Sequence, residues 1–303
     1  MQIRHILIAS DFSDAARATH VHAAALARVT GARVTVLTVN EALEHEYRSY
    51  RWMTEYLGEA DRERLRLLDE AKVELGRLEL RPTMQVRAGD AAEEICAHAR
   101  EHRVDLVLMG QRGLRNVKRL LLGRTVRRTL RHLDVPVMVV PPSSDPQAAP
   151  PQYKLLLAAT DFSAISRVNL RASIDLAITL DARLEVMHVF RVPVMAPHAE
   201  TLDSWPLSVP EEAREELKSK LVQAVEEVGG LEGARRCRCT VTTGLSVAET
   251  ITSAARENGA ALITVPTRGR RRMREVLFGS TTESVLRLSS VPVLVFPVEH
   301  REA

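Results

Sequence analysis

A chain of 303 residues with 45% hydrophobic residues, 27% charged residues and a net charge of +3 has the composition of a soluble protein with room for two ordinary domains. No apolar run approaches the roughly 20 residues of a membrane span, and the first residues lack the apolar core and cleavage site of a signal peptide. The cysteines, Cys96, Cys237 and Cys239, are too few and too uneven for a disulfide framework. The composition therefore predicts a cytoplasmic protein with no membrane partner.

Taken in chain order, the first half alternates strand and helix. A short apolar strand at 3–9 leads into Asp11-Phe12-Ser13, a helix at 14–30 and a second strand at 33–39. A variable segment with a charged helix covers about 55–80. A strand at 83–88 precedes a helix at 90–102 opened by Asp90 as its N-cap. The strand at 104–109 is almost wholly apolar, as expected when both faces are covered. A glycine-containing loop, a helix at about 123–133 and a last strand at 135–140 complete the set. Such alternation implies a parallel sheet with right-handed crossovers. Residues 141–151 hold five prolines, which exclude a helix or a central strand and read as a semi-rigid linker.

The same order then returns. His5-Ile-Leu-Ile-Ala-Ser-Asp11-Phe-Ser13 reappears as Leu155-Leu-Leu-Ala-Ala-Thr-Asp161-Phe-Ser163, an offset of 150 that holds through Val39 and Val189. By Val104–Gly110 and Ala260–Pro266 the offset has grown to 156. Residues 123–140 and 279–296 share 8 identities in 18, too many for coincidence. The predicted architecture is α/β: two tandem doubly wound domains at 1–142 and 154–303, joined by a linker at 143–153. Each is a five-stranded parallel sheet with helices on both faces. Ligands of such sheets lie beyond the carboxyl ends of the strands, where Asp11, Val39 and Gly110 all fall.

Gly110-Gln-Arg-Gly113, nine residues and Gly123 form the spacing G-x2-G-x9-G. Glycines let the backbone approach an oligophosphate, and the start of a helix favours anions. With the Asp-Phe-Ser loop, the Gly89-Asp90 turn and the closing Val-Pro-Val strand, the pattern resembles the universal stress proteins, twice over nearly the whole chain. That resemblance implies an adenine nucleotide alpha hydrolase-like fold and a site for ATP, with or without Mg²⁺. It implies Asp11 at the adenine and ribose end, backbone near Val39 on the adenine edge, Gly110 and Gly113 along ribose and phosphates, and Gly123, Arg124 and Thr125 at the terminal phosphates. In the second copy it points to Asp161, Val189, Gly269, Gly279, Ser280 and Thr281.

Both copies depart from the family pattern. Arg124 stands where the family has Ser or Thr. It either pairs a phosphate bidentately, points to solvent or obstructs the site. Pro266 replaces the first glycine of the second copy and removes a backbone N–H. The resemblance implies sensing or regulation in a stress response, with ATP hydrolysis slow at most and no catalytic residue. It also implies pairing of the two domains through strands 135–140 and 291–296, and association of whole chains into a homodimer. The alternatives are an interaction scaffold without nucleotide, or nucleic-acid binding through the basic block Arg112, Arg115, Lys118, Arg119, Arg124, Arg127, Arg128 and Arg131. Ser13 and Ser163 suit helix capping better than nucleophilic catalysis, and Asp11 and Asp161 are alternative caps. No nucleophile elbow or Walker pattern is present. His20 and His22 face different ways and share no metal. Cys237-Arg-Cys239 lacks the second ligand pair of a zinc site and reads as the start of a strand. Trp52 and Trp205 read as cover for the core.

Overall fold

A computed structural model describes residues 1–40, 51–113, 122–143, 149–191, 210–267 and 279–297, with side chains from Arg62 onward in the segment that begins at 51. Two units emerge, one of Gln2–Pro151 and one of Gln152–Ala303 together with Met1. The first unit contains β1 (His5–Ala9), α1 (Asp14–Thr30), β2 (Arg33–Asn40), α2 (Arg51–Arg77), β3 (Thr83–Ala88), α3 (Ala91–Glu101), β4 (Leu106–Gly110), α4 (Arg124–His132) and β5 (Val137–Val140). The second repeats the order as β6 (Leu155–Ala159), α5 (Ala164–Thr179), β7 (Arg183–Arg191), α6 (Glu211–Arg236), β8 (Cys237–Gly244), α7 (Val247–Glu257), β9 (Leu262–Pro266), α8 (Ser280–Leu288) and β10 (Val293–Phe296).

Every strand pair within each unit is parallel. The strand order is β3-β2-β1-β4-β5 in the first unit and β8-β7-β6-β9-β10 in the second. The chain therefore winds one way from β1 to β3, then returns to the other side of β1. That reversal opens a crevice between the carboxyl ends of β1 and β4, and another between β6 and β9. Register keeps these ends level, with Ala9 opposite both Leu37 and Met109. Ala159 lies opposite Met187 in the second unit.

The helices cover both faces. In the first unit α1 packs on α2 and on the central strands, and α3 packs on α4. β1 and β4 are consequently apolar on both faces, with Ile6, Leu7, Ile8, Leu106 and Leu108 among the fully buried side chains. α1 ends where the spacing predicts because Ser13 caps one end and Gly31, at φ 69°, turns the chain at the other. The charged helix runs 51–77 rather than 55–80. The sequence marks neither of its ends with a strong cap.

A cluster of histidines lies beneath the amino ends of the first sheet. His5 Nε2 bonds Thr35 Oγ1 at 2.9 Å, and the carbonyl of His102 lies 3.1 Å from His5 Nδ1. His98 is 2% exposed, neither of its ring nitrogens has a partner, and its ring lies 4.2 Å from that of His102. Burial, then the charges of His102 and Arg87, push His98 down to about 4.

Two predictions follow from this packing. The unfolded chain protonates His98 below about pH 6.5 and the folded chain only near pH 4, so stability present above pH 6.5 is lost as pH falls between them. For this group the loss at pH 5 is on the order of 2 kcal/mol. Urea titrations at pH 7.5 and 5.0 should show the smaller drop in His98→Leu, because leucine keeps the volume and leaves no orphaned nitrogen. Gly110 supplies the second. A Cβ there would lie 2.6 Å from the carbonyl carbon of Ala15 and 2.7 Å from the nitrogen of Ala16. Gly110→Ala should lower stability by about 1–3 kcal/mol in the same titration at pH 7.5.

Candidate functional site

The crevice is built from two loops. After β1, Ser10 accepts a hydrogen bond from Phe12 N at 3.1 Å, and Asp11 Oδ1 accepts one from Ser13 N at 3.1 Å. These bonds hold Phe12 at φ 61°, a left-handed conformation that a bulky residue adopts only under constraint. Phe162 repeats it at φ 60° with the matching bonds from Phe162 N to Thr160 Oγ1 and from Ser163 N to Asp161 Oδ1. Ser13 and Ser163 are the helix caps, accepting from Ala16 N and Ser166 N at 3.2 Å. The aspartates shape the loop before the cap, each accepting from the backbone N–H two residues ahead, and the capping bonds to the first turns of α1 and α5 come from Ser13 and Ser163.

The second loop follows β4. Gln111 N bonds the carbonyl of Val140 at 2.7 Å, and Gly123 N bonds the carbonyl of Gln111 at 3.1 Å. The second unit copies this with Thr267 N on Phe296 and Gly279 N on Thr267, at 3.0 and 3.2 Å. Ser13 Oγ donates to the carbonyl of Arg112 at 3.3 Å, tying the two loops together. A Cβ on Gly113 would sit 2.3 Å from Asp11 Oδ2, so Asp11 and Gly113 meet across the crevice.

The three glycines thus have different reasons. Gly110 makes way for the backbone of α1, and Gly113 makes way for Asp11. Gly123 has an ordinary φ of −57°, and a Cβ there would meet nothing closer than 3.5 Å. Neither packing nor backbone conformation requires it. It opens α4 with no side-chain cap, as Gly279 opens α8, whereas Ser13, Asp90, Ser163 and Ser246 cap α1, α3, α5 and α7. The first N–H groups of α4 and α8 therefore face outward without an intrahelical acceptor.

The arginines divide in the same way. Arg127 donates to the carbonyl of Leu122, and Arg128 pairs with Asp90 and, at 3.0 Å, with Glu93. Burial pushes the Asp90 carboxyl up, but the Glu93 N–H and the Arg128 guanidinium outweigh it and hold the group below its usual range. Arg112 has a buried Nε with no partner, and Arg124 is exposed on the first residue of α4. The basic block is therefore not one free cationic surface. Arg112, which the sequence offers only as one charge among eight, stands at the start of the loop, where its carbonyl meets Ser13; its place between Gly110 and Gly113 is the signal that singles it out.

Val39 and Val189 lie at the carboxyl ends of β2 and β7, half-buried and buried. Thr125 is half-buried, and Ser280 and Thr281 are exposed in the first turn of α8. Pro266 ends β9 opposite Phe296, and its carbonyl accepts from Thr282 Oγ1 at 2.8 Å. Gly269, Arg115, Lys118, Arg119, Trp205 and the side chain of Trp52 lie outside the described residues. Cys237 does begin a strand, and burial, with Cys239 beside it, pushes its thiol up to about 12. It is no activated nucleophile. No helix among the described residues is long and apolar enough to cross a membrane.

Comparison with known proteins agrees with this geometry. The Bacillus subtilis universal stress protein YxiE is 30% identical over 147 residues, which span 47% of this chain and 98% of that protein. A universal stress protein from Archaeoglobus fulgidus superposes with a TM-score of 0.68 at 21% identity, covering 98% of this chain and 97% of that one. A second structure, from Pseudomonas aeruginosa, gives a TM-score of 0.62 at 18% identity over 97% and 93% of the two chains. At those identities the structural likeness is one of fold. The model of the universal stress protein family matches residues 2–141 and again residues 152–297, so the chain belongs to that family and carries its domain twice.

Proposed function

We propose that the first unit binds an adenine nucleotide, ATP with or without Mg²⁺, in the crevice between β1 and β4. The observation that carries this reading is Gly123, a glycine that the fold does not need, at the start of an uncapped helix. Free N–H groups and the helix dipole there favour an oligophosphate. The residues fit such a group. The buried, unpartnered Nε of Arg112 and the exposed guanidinium of Arg124 supply cationic donors on the same loop and helix. We assign the ribose and base to Asp11 and the end of β2 at Val39, which lie at the carboxyl ends of neighbouring strands.

In the second unit Gly279, Ser280 and Thr281 offer an equally uncapped helix start. Asp161 is tied further there by Ser166 Oγ at 2.6 Å. We assign the weaker site to this unit. The proposed role is nucleotide-dependent signalling in a stress response. Backbone N–H groups and guanidiniums stabilise charge but take no proton from an attacking water, which supports occupancy over turnover as the signal.

Gly123→Ser tests the site without breaking the fold. A serine there caps α4 and should raise stability by only about a few tenths of a kcal/mol, because glycine is itself a tolerated N-cap. Its hydroxyl competes for the same N–H groups, so ATP affinity by isothermal calorimetry should fall at least about tenfold. Unchanged affinity, or no ATP binding by the unaltered chain with or without Mg²⁺, would overturn the reading. Arg124→Ser should weaken ATP more than adenosine. Equal weakening of both would place Arg124 outside the phosphate site.

A further inference from the structure

The edge strand β8 opens with Cys237-Arg238-Cys239, and alternation places both sulfurs on one face. That face is the one α6 covers, and together they border a groove of about 580 Å³ lined by both cysteines, Val222, Val225, Lys218 and Glu226, with two more carboxylates and two arginines around it. The other face is turned to α7. There Glu185 of β7, paired in register with Arg238, accepts from Thr240 Oγ1 at 2.9 Å and Asn258 Nδ2 at 2.8 Å. Both thiols are free and half-buried, so a small solute can reach them.

The spacing decides what the pair can do. Residues two apart on a strand have Cα atoms about 6.6 Å apart. That lies inside the roughly 4.4–6.8 Å range of disulfide Cα atoms, but Cβ atoms standing side by side on one face are well beyond the roughly 3.5–4.5 Å a disulfide needs, so closing one would require the strand to buckle. A metal–thiolate bond is about 2.3 Å, so an ion held in line between two sulfurs spans about 4.6 Å. Two sulfurs carried on strand positions about 6.6 Å apart need to lean only about 1 Å each toward one another to meet that span. Among the described residues no group of three or more His, Cys, Asp or Glu is placed to hold a metal, which disfavours zinc and other ions that need three or four protein ligands.

We propose that Cys237 and Cys239 form a two-coordinate site for a soft monovalent cation, Cu(I). Binding replaces two S–H bonds by two Cu–S bonds and releases two protons to solvent, leaving a complex of net charge −1. Burial holds the Cys239 thiol up; of the charges around it the Lys218 ammonium acts most strongly, against the weaker opposing pull of Glu226, and so offsets part of the charge of the complex. The site is separate from the β6–β9 crevice and does not rest on nucleotide binding.

Anaerobic titration of the whole chain with Cu(I), in competition with the chromophoric chelator bathocuproine disulfonate, tests this. One equivalent should be withheld from the chelator by the unaltered chain and by Cys96→Ser. The Cys237→Ser and Cys239→Ser variants, with their folding checked by circular dichroism, should each lose at least about 90% of that binding. Lys218→Ala should weaken binding several-fold without changing its stoichiometry. Absence of competition by the unaltered chain, or retention of the full equivalent in both single serine variants, overturns the proposal.

Discussion

Everything at the crevice depends on how closely α1 lies against the end of β4. At Gly110 the helix backbone occupies the place of a side chain. This contact sets the level at which β4 ends and the loop through Arg112 begins, and it brings Ser13 under the Arg112 carbonyl. The apolar strands supply the free energy of burial. The absence of one Cβ decides where that burial leaves the two loops. A glycine in this spacing is commonly read as making room for a ligand, but here the room is already filled by protein. The space that no protein atom needs is at Gly123.

The second unit keeps the plan and changes the contact. Pro266 occupies the place of Gly110, so ring atoms stand where the first unit has none, and Ile165 and Ser166 replace Ala15 and Ala16. Around this change the helix–sheet seam has turned polar. Asn169, Ser173 and Thr264 are all buried, where the first unit has Thr19, Ala23 and Leu108. Ser173 and Thr264 satisfy each other at 2.7 Å, but both amide atoms of Asn169 are buried without a partner. A seam of that kind is costlier to bury than an alanine seam. It marks the second unit as a domain adapted to a different internal environment.

Most of the architecture was legible because it rests on local rules. Short continuous apolar runs, Ser13 and Asp90 as caps and the proline run between the halves each act over a few residues. The repeat then checked every element against its copy. The site was legible only as spacing. What makes it specific depends on distant pairings. Arg128 is engaged by Asp90, 38 positions away, and this removes it from the surface that a charge count suggests. The Arg112 Nε is left without a partner by what surrounds it in space. The pairing of Arg128 has no signature in the neighbouring sequence, and for Arg112 the flanking glycines mark the residue but not the state of its side chain. Even the Asp-Phe-Ser triplet, visible twice, gives no hint that its central residue is left-handed.

That left-handed phenylalanine recurs in each half. Holding a bulky residue in this conformation costs on the order of 1–3 kcal/mol, and glycine would remove most of the strain. The two halves have diverged at most positions, including Gly110 against Pro266, yet Phe12 and Phe162 keep the same angle. Phe162 now lies against His188, with ring centroids 4.5 Å apart, where the first unit has Thr38. The same strained angle therefore stands in both halves although the side chains around it differ. The chain holds its own pairwise comparison, and in it the least comfortable residue of the loop is among the least altered.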